Sequence, residues 1–265
     1  MASPILEAIE VSKVYPRRAG VLRRAVGDVR AVDRVSCVLA AGETLGLVGE
    51  SGCGKTTLAK LLLGLLAPSQ GEVRLHGEPL AGLTGARLRA ARRAVQFVFQ
   101  DPLNSLNPRL TVAQTLSEPF IIHRLASGAA RRARLEALLD AVQLPAGSLA
   151  RLPRELSGGE RQRVGIARAL ALDPELVICD EPIASLDVSV GAQILELLRG
   201  LCRARRMALL FISHDLGAVG SVCERLAVMQ HGRILETGPT QTLLQQPAHP
   251  YTVLLIRSAS LDLDA

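Results

Sequence analysis

Gly49-Glu50-Ser51-Gly52-Cys53-Gly54-Lys55-Thr56-Thr57 follows the apolar run Leu45-Gly46-Leu47-Val48 and precedes a leucine-rich stretch, residues 58–66. Strand, glycine loop and helix form the context that the phosphate-binding pattern G-x-x-x-x-G-K-[ST] requires. The glycines let backbone N–H groups turn inward around anionic oxygens, where a Cβ would clash. The following helix aims its N-terminal amides and dipole at the same phosphates. Lys55 supplies a point charge for β- and γ-phosphates, and the Thr56 hydroxyl can join the shell of a Mg²⁺ ion. With 23 Gly and only three Lys in 265 residues, roughly 0.002 such matches arise by chance, so the loop decides the reading. The chain carries 28 Arg against Lys13, Lys55 and Lys60, yet keeps a compact ammonium at position 55. A planar guanidinium is not equivalent in a tight phosphate cradle.

Working outward, 265 residues fit one large α/β domain, or one domain with a sub-domain. Apolar residues make up 48% of the chain, which is ample for a core. The longest apolar runs fall far short of a membrane span, and the first residues lack a signal-peptide pattern. A soluble cytosolic chain is expected. A net charge of +6 permits an anionic partner, but the arginines read as spread over solvated faces. Without interleaved aromatics, a single-strand stacking groove is not expected, nor is a nucleic-acid partner. Cys37, Cys53, Cys179, Cys202 and Cys223 form no C-x-x-C pair and read as reduced thiols. Cys53 reads two ways, as an alkylatable thiol or as one buried under the loop.

Residues 5–15 read as a strand ending at Tyr15-Pro16. Tyr15 alone reads as a strand-end residue or as a ring that stacks on a base. Residues 17–30, with five arginines, read as an exposed basic loop or hairpin with turns at Gly20 and Gly27. A strand is expected around 31–39, a hairpin at 72–77 and another strand at 95–99. Pro and Asn break the chain at 104–108, and helical patterns follow. Leu135, Leu138, Leu139 and Val142 share one face, and Pro145 stops that helix. Ser157 and Glu160 form an S-x-x-E capping box, and Gly158 and Gly159 bare amides that an arriving anion could use.

Leu176-Val177-Ile178-Cys179 has the pattern of a strand buried on both faces, and it ends in Asp180-Glu181-Pro182. Two carboxylates there are costly unless something uses them. Asp180 could hold Mg²⁺ through water and Glu181 could polarise an attacking water, or the pair could be an exposed turn. Leu209-Leu210-Phe211-Ile212 repeats the pattern and ends at Ser213-His214-Asp215. His214 reads as a phosphate hydrogen-bond donor or as a structural residue. Three apolar strands thus deliver polar groups to the edge where open α/β sheets bind ligands.

Taken together in this order, these residues resemble the ATP-binding subunits of ABC transporters over nearly the whole chain. Residues 49–57 resemble Walker A, Gln100 the Q-loop glutamine and residues 156–160 the signature. Residues 176–180 resemble Walker B, Glu181 the catalytic glutamate, Ser185-Leu186-Asp187 the D-loop and His214 the switch histidine. The resemblance implies an α/β P-loop core, a mostly parallel sheet with flanking helices, plus an antiparallel β sub-domain and a helical sub-domain. It places one ATP-binding domain over 5–259, with 101–156 helical and 230–265 a short C-terminal extension. It assigns Glu181, His214 and Gln100 to catalysis, and Thr56, Gln100 and Asp180 to Mg²⁺. ATP falls to Tyr15 as the adenine-stacking ring, to residues 49–57, and to Ser157, Gly158 and Gly159 of a second chain.

The segments 100–109, 185–189 and His249-Pro250-Tyr251-Thr252 resemble the peptide/nickel importers. That branch implies ATP hydrolysis energising import of di- or oligopeptides, or of nickel and metal chelates. The implied partners are a second ATPase chain in a homo- or heterodimer, two membrane permeases and an extracytoplasmic solute-binding protein. The implied location is peripheral, on the cytoplasmic face of the inner membrane. No iron–sulfur cluster is expected, because no cysteine follows Cys223. The alternative is a soluble ABC ATPase acting on nucleic acid or ribosomes, but such proteins usually carry two ATPase units or long insertions.

Overall fold

The computed structural model describes residues 4–19, 24–100 and 105–261. Two sheets enclose one core layer between them. The first is antiparallel, in the order β2-β1-β4-β5, with β1 Pro4–Ala19, β2 Arg24–Ala40, β4 Gln70–Leu75 and β5 Glu78–Pro79. The second has six strands in the order β10-β9-β3-β8-β7-β6. Its members are β3 Thr44–Val48, β6 Val95–Val98, β7 Leu176–Asp180, β8 Ala208–Ile212, β9 Arg225–Gln230 and β10 Arg233–Pro239. Five of these run parallel, and β10 pairs antiparallel with β9 at the edge.

The apolar runs 45–48, 176–179 and 209–212 become adjacent central strands because both of their faces are covered. On β7 and β8, Val177, Cys179, Leu209 and Phe211 face one cluster. Leu176, Ile178, Ala208, Leu210 and Ile212 face the other. The second cluster closes against Ile5, Leu6, Val11, Val32 and Val35 of the antiparallel sheet and Leu58, Leu61 and Leu62 of α1 Lys55–Leu62. The first takes the helices α3 Val112–Ile122, α4 Gly128–Ala141, α5 Gly158–Leu170, α6 Val188–Arg205 and α7 Leu216–Val222. An exposed helix, α2 Gly85–Ala94, leads into β6. Two short helices, α8 Thr240–Gln245 and α9 Pro250–Leu261, follow β10.

The basic segment 17–30 is part of a hairpin, because β1 and β2 stay paired as far as Ala19↔Arg24. Gly20 and Arg23 lie outside the described residues, as do Asp101, Pro102 and Asn104. Helix α4 buries Leu135, Leu138 and Leu139 and stops before Pro145, with Val142 at its cap. Among the described residues, no helix is long and apolar enough to cross a membrane.

Candidate nucleotide site

The loop after β3 is held tightly from outside. Gly49 has φ +155, and a Cβ there would lie 2.1 Å from the Met229 carbonyl oxygen on β9. Gly54 has φ +114, and a Cβ there would lie 2.1 Å from the Ala31 carbonyl oxygen on β2. Only glycine meets both demands at these positions. The Gly232 amide, in the β9–β10 turn, donates to the Cys53 carbonyl at 2.9 Å. The Glu50 amide donates to the Tyr251 hydroxyl at 3.2 Å.

Lys55 is the first residue of α1 and is buried, at 5% exposure. Its ammonium donates to the carbonyls of Gly49 at 2.6 Å and Glu50 at 2.9 Å. A buried cation is tolerable because both bonds are charge-assisted. The helix therefore begins at Lys55 rather than within the leucine run, which sets the amides of Thr56 and Thr57 in its first turn. Glu50, Ser51, Gly52 and Thr56 are exposed around the loop, and Thr57 is half-buried. Cys53 is buried, and burial pushes its thiol above the usual range, against the nearby Lys55 charge. That is the inert alternative.

Asp180 ends β7 and is 4% exposed. Burial raises its carboxyl above the usual range, with the Thr56 hydroxyl pulling it down and the Glu181 charge adding to the rise. Glu181 follows at φ +46, a left-handed conformation that is strained for a residue with a side chain. Its amide donates to the Ile212 carbonyl at 2.9 Å, which ties it to the end of β8. Gln100 Nε2 donates to Glu181 Oε2 at 2.9 Å, and His214 Nδ1 lies 3.4 Å from Glu181 Oε1. Gln100, Glu181 and His214 thus form one cluster at the strand edge that also carries the phosphate loop.

Ser157 caps α5 as its spacing predicts. Its hydroxyl accepts from the Glu160 amide at 3.2 Å, and Glu160 accepts from the Ser157 amide at 2.7 Å. That amide, with the Arg151 guanidinium also close, holds the Glu160 carboxyl below the usual range. The glycine pair also has a packing reason invisible in the sequence. A Cβ at Gly159 would lie 2.5 Å from Val190 Cγ1, and one at Gly158 would lie 3.2 Å from Leu186. Gly159 therefore packs on the start of α6, and Gly158 on Leu186 just before it. Asp187 caps that helix through the Val190 amide at 2.9 Å, and Val188 beside it is 91% exposed. Tyr15 sits on β1, 39% exposed, with Lys13 Nζ 5.6 Å from its ring centroid.

The sequence reading missed the supports behind the loop. His231-Gly232 reads only as a turn, and Tyr251 only as part of a tail motif. Their contacts join residues 179 and 201 positions apart, which no local pattern announces.

A family model described as ABC transporter matches residues 32–184. The probable peptide ABC transporter ATP-binding protein y4tS of Sinorhizobium fredii is 49% identical over 98% of this chain and 73% of that protein. The oligopeptide transport ATP-binding protein AppF of Bacillus subtilis is 45% identical over 96% of this chain and 78% of its own. Among solved structures, the ATP-binding cassette MJ0796, a dimer in a post-hydrolysis state bound to ADP and Pi, aligns with a TM-score of 0.78. The identity is 28%, covering 89% of this chain and 98% of that one.

Proposed function

We propose, for a chain that belongs to the ABC transporter family, that it is the ATP-hydrolysing subunit of a peptide importer. ATPase activity coupled to transport comes with the family. Peptide as the cargo rests on the names of y4tS and AppF, which favour it over nickel or a chelate. The observation that carries the reading is the meeting of the phosphate loop, Asp180, Glu181 and His214 at the carboxyl edge of β3, β7 and β8.

In this reading the residues 49–57, with Lys55, bind the ATP phosphates and Tyr15 stacks on the adenine. Glu181 takes the proton of the attacking water, while Gln100 and His214 orient that carboxylate and the γ-phosphate. Asp180 is a buried carboxylate held against its own burial beside the Thr56 hydroxyl, which fits a divalent cation. Thr56, Asp180 and Gln100 would hold Mg²⁺, whose charge neutralises the phosphate oxygens.

Ser157, Gly158 and Gly159 serve the nucleotide of a second ATPase chain, arranged head-to-tail as a homo- or heterodimer. The near-complete exposure of Val188, close to Val190, which packs against Gly159, supports a partner covering this face. Two permeases and a solute-binding protein complete the assembly, with this chain on the cytoplasmic face of the membrane and the Gln100 loop and residues 101–150 passing motion to the permeases. The test is purification from detergent-solubilised membranes, followed by ATPase assay with the peptide-loaded binding protein. Co-purifying permeases and peptide-stimulated turnover are expected. Recovery with ribosomes or nucleic acid, and no membrane partner, would overturn the reading.

A further inference from the structure

The His249-Pro250-Tyr251 segment has no part in the chemistry above, yet it reaches the phosphate loop. We infer that Tyr251 is a positioning residue for ATP binding: its hydroxyl, bonded to Glu50, presets the loop that receives the phosphates. The inference rests on the ATP-binding reading of residues 49–57.

The contact is a relay through a single residue. Glu50 donates its amide to Tyr251 Oη at 3.2 Å, and its carbonyl accepts from Lys55 Nζ at 2.9 Å. The Glu50 N–H shares its peptide unit with the Gly49 carbonyl, which accepts from Lys55 Nζ at 2.6 Å, so a displacement of the phenol moves a peptide unit that holds the ammonium. Tyr251 is only 7% exposed. Burial pushes the phenol above its ordinary range, so at neutral pH it keeps the proton.

The tyrosine is itself firmly placed. Glu236 of β10 accepts from the amides of Ala248 at 2.9 Å and His249 at 3.1 Å. His249 Nδ1 accepts from the Tyr251 amide at 3.1 Å. Pro250 suits the first position of α9, where an amide would lack a partner anyway. Leu255, Ile256 and Ala259 pack the helix onto the core. The loop is thus supported at Gly49 by Met229, at Glu50 by Tyr251 and at Cys53 by Gly232. Glycine-rich loops are costly to order, so a loop ordered in advance binds its ligand more tightly. Of these supports and the Ala31 carbonyl against Gly54, only Tyr251 acts through a side chain that a single oxygen deletion can test.

The experiment compares the full chain with Tyr251→Phe. Three quantities are read: affinity for a fluorescent ATP analogue, KM and kcat for ATP, and hydrogen exchange of the peptide covering residues 49–57. Loss of one hydrogen bond is expected to weaken nucleotide affinity and raise KM by about three- to tenfold while kcat changes by less than about twofold. Exchange at the Glu50 amide should rise in parallel. A Tyr251→Phe protein with wild-type KM and affinity would overturn the inference, even if it melts earlier, because the ring would then serve packing alone. Tyr251→Ala removes ring and hydroxyl together, so matching KM values for the Phe and Ala variants, both raised, would locate the effect in the oxygen. Failure of the wild-type chain to bind the analogue would instead remove the phosphate-loop reading on which the inference stands.

Discussion

Gln100 Nε2 lies 2.9 Å from Glu181 Oε2, joining the end of β6 to the end of β7 across 81 residues of sequence. The other oxygen of the same carboxylate faces His214 at 3.4 Å. One carboxylate is therefore gripped from two strands while its own backbone is tied to β8.

Glu181→Gln keeps the size and the hydrogen-bonding outline of that side chain but removes the carboxylate proposed as the base. Turnover is expected to fall by about a hundred- to ten-thousandfold, the range for losing a positioned general base. Nucleotide affinity should persist. Steady-state ATPase assays beside an equilibrium titration check this, and near-wild-type turnover would reassign the base.

Lys55→Ala leaves the Gly49 and Glu50 carbonyls without their cation. Affinity for ATP should drop by about ten- to a hundredfold, as for the loss of charge-assisted bonds. Lys60, exposed further along the same helix, provides the control: Lys60→Ala should bind ATP normally. Equal affinities for the two variants would contradict the placement of the phosphates.

Asp180 gives a pH prediction. Its folded-state pKa is raised by burial, so the native state holds this proton more tightly than the unfolded chain does. Its contribution to stability then falls as pH rises from the unfolded carboxylate value through the folded one, and the ionised group is a cost at neutral pH. Asp180→Asn should therefore melt higher than the wild type at pH 7 and lose that advantage in acid, while losing Mg²⁺-dependent turnover. Melting curves from pH 4 to 8 would show it. A lower melting point at pH 7 would mean that the carboxylate stabilises the fold.

Ser157→Ala breaks the capping box of α5. About 1 kcal/mol is expected, which for a chain of this size lowers Tm by about 2–4 °C. Calorimetry reads it directly, and an unchanged Tm would show that the cap is redundant.

Gly159→Ala places a methyl 2.5 Å from Val190 Cγ1. The crowding should destabilise the start of α5 by about 1–3 kcal/mol. Val190→Ala in the same chain should recover part of that loss, the mark of two residues in contact. Denaturant melts of the four proteins in the cycle give the coupling, and strict additivity would rule out the contact.

The parts of this protein that the sequence displays are those where local chemistry and tertiary role agree. Residues 49–57 must be glycine-rich and cationic wherever they fold. The runs 45–48, 176–179 and 209–212 are apolar on both faces because both are covered. The Ser157–Glu160 box is a helix start in any context. What stays hidden depends on partners distant in the chain. Gly159 reads as an open amide but is also small because Val190 sits against it. Cys53 becomes inert only once the loop closes over it. Segment 17–30 reads as loop or hairpin alike, since only pairing across β1 and β2 decides between them. The grip on Glu181 needs Gln100 and His214 from two other strands, and its left-handed backbone leaves no mark in the residue type.

The position of β3 in its sheet has a consequence for how the protein is made. This strand, residues 44–48, pairs on one side with β8, which starts at residue 208, and on the other with β9, which starts at residue 225. Roughly 160 residues separate it from its first neighbour, a gap that takes about 8–30 s to translate at 5–20 residues/s. On the ribosome, the segment bearing Lys55 therefore leaves the exit tunnel well before any strand exists to flank it. Nascent chains interrupted before β8 therefore carry the glycine loop without either strand that flanks β3 in its sheet.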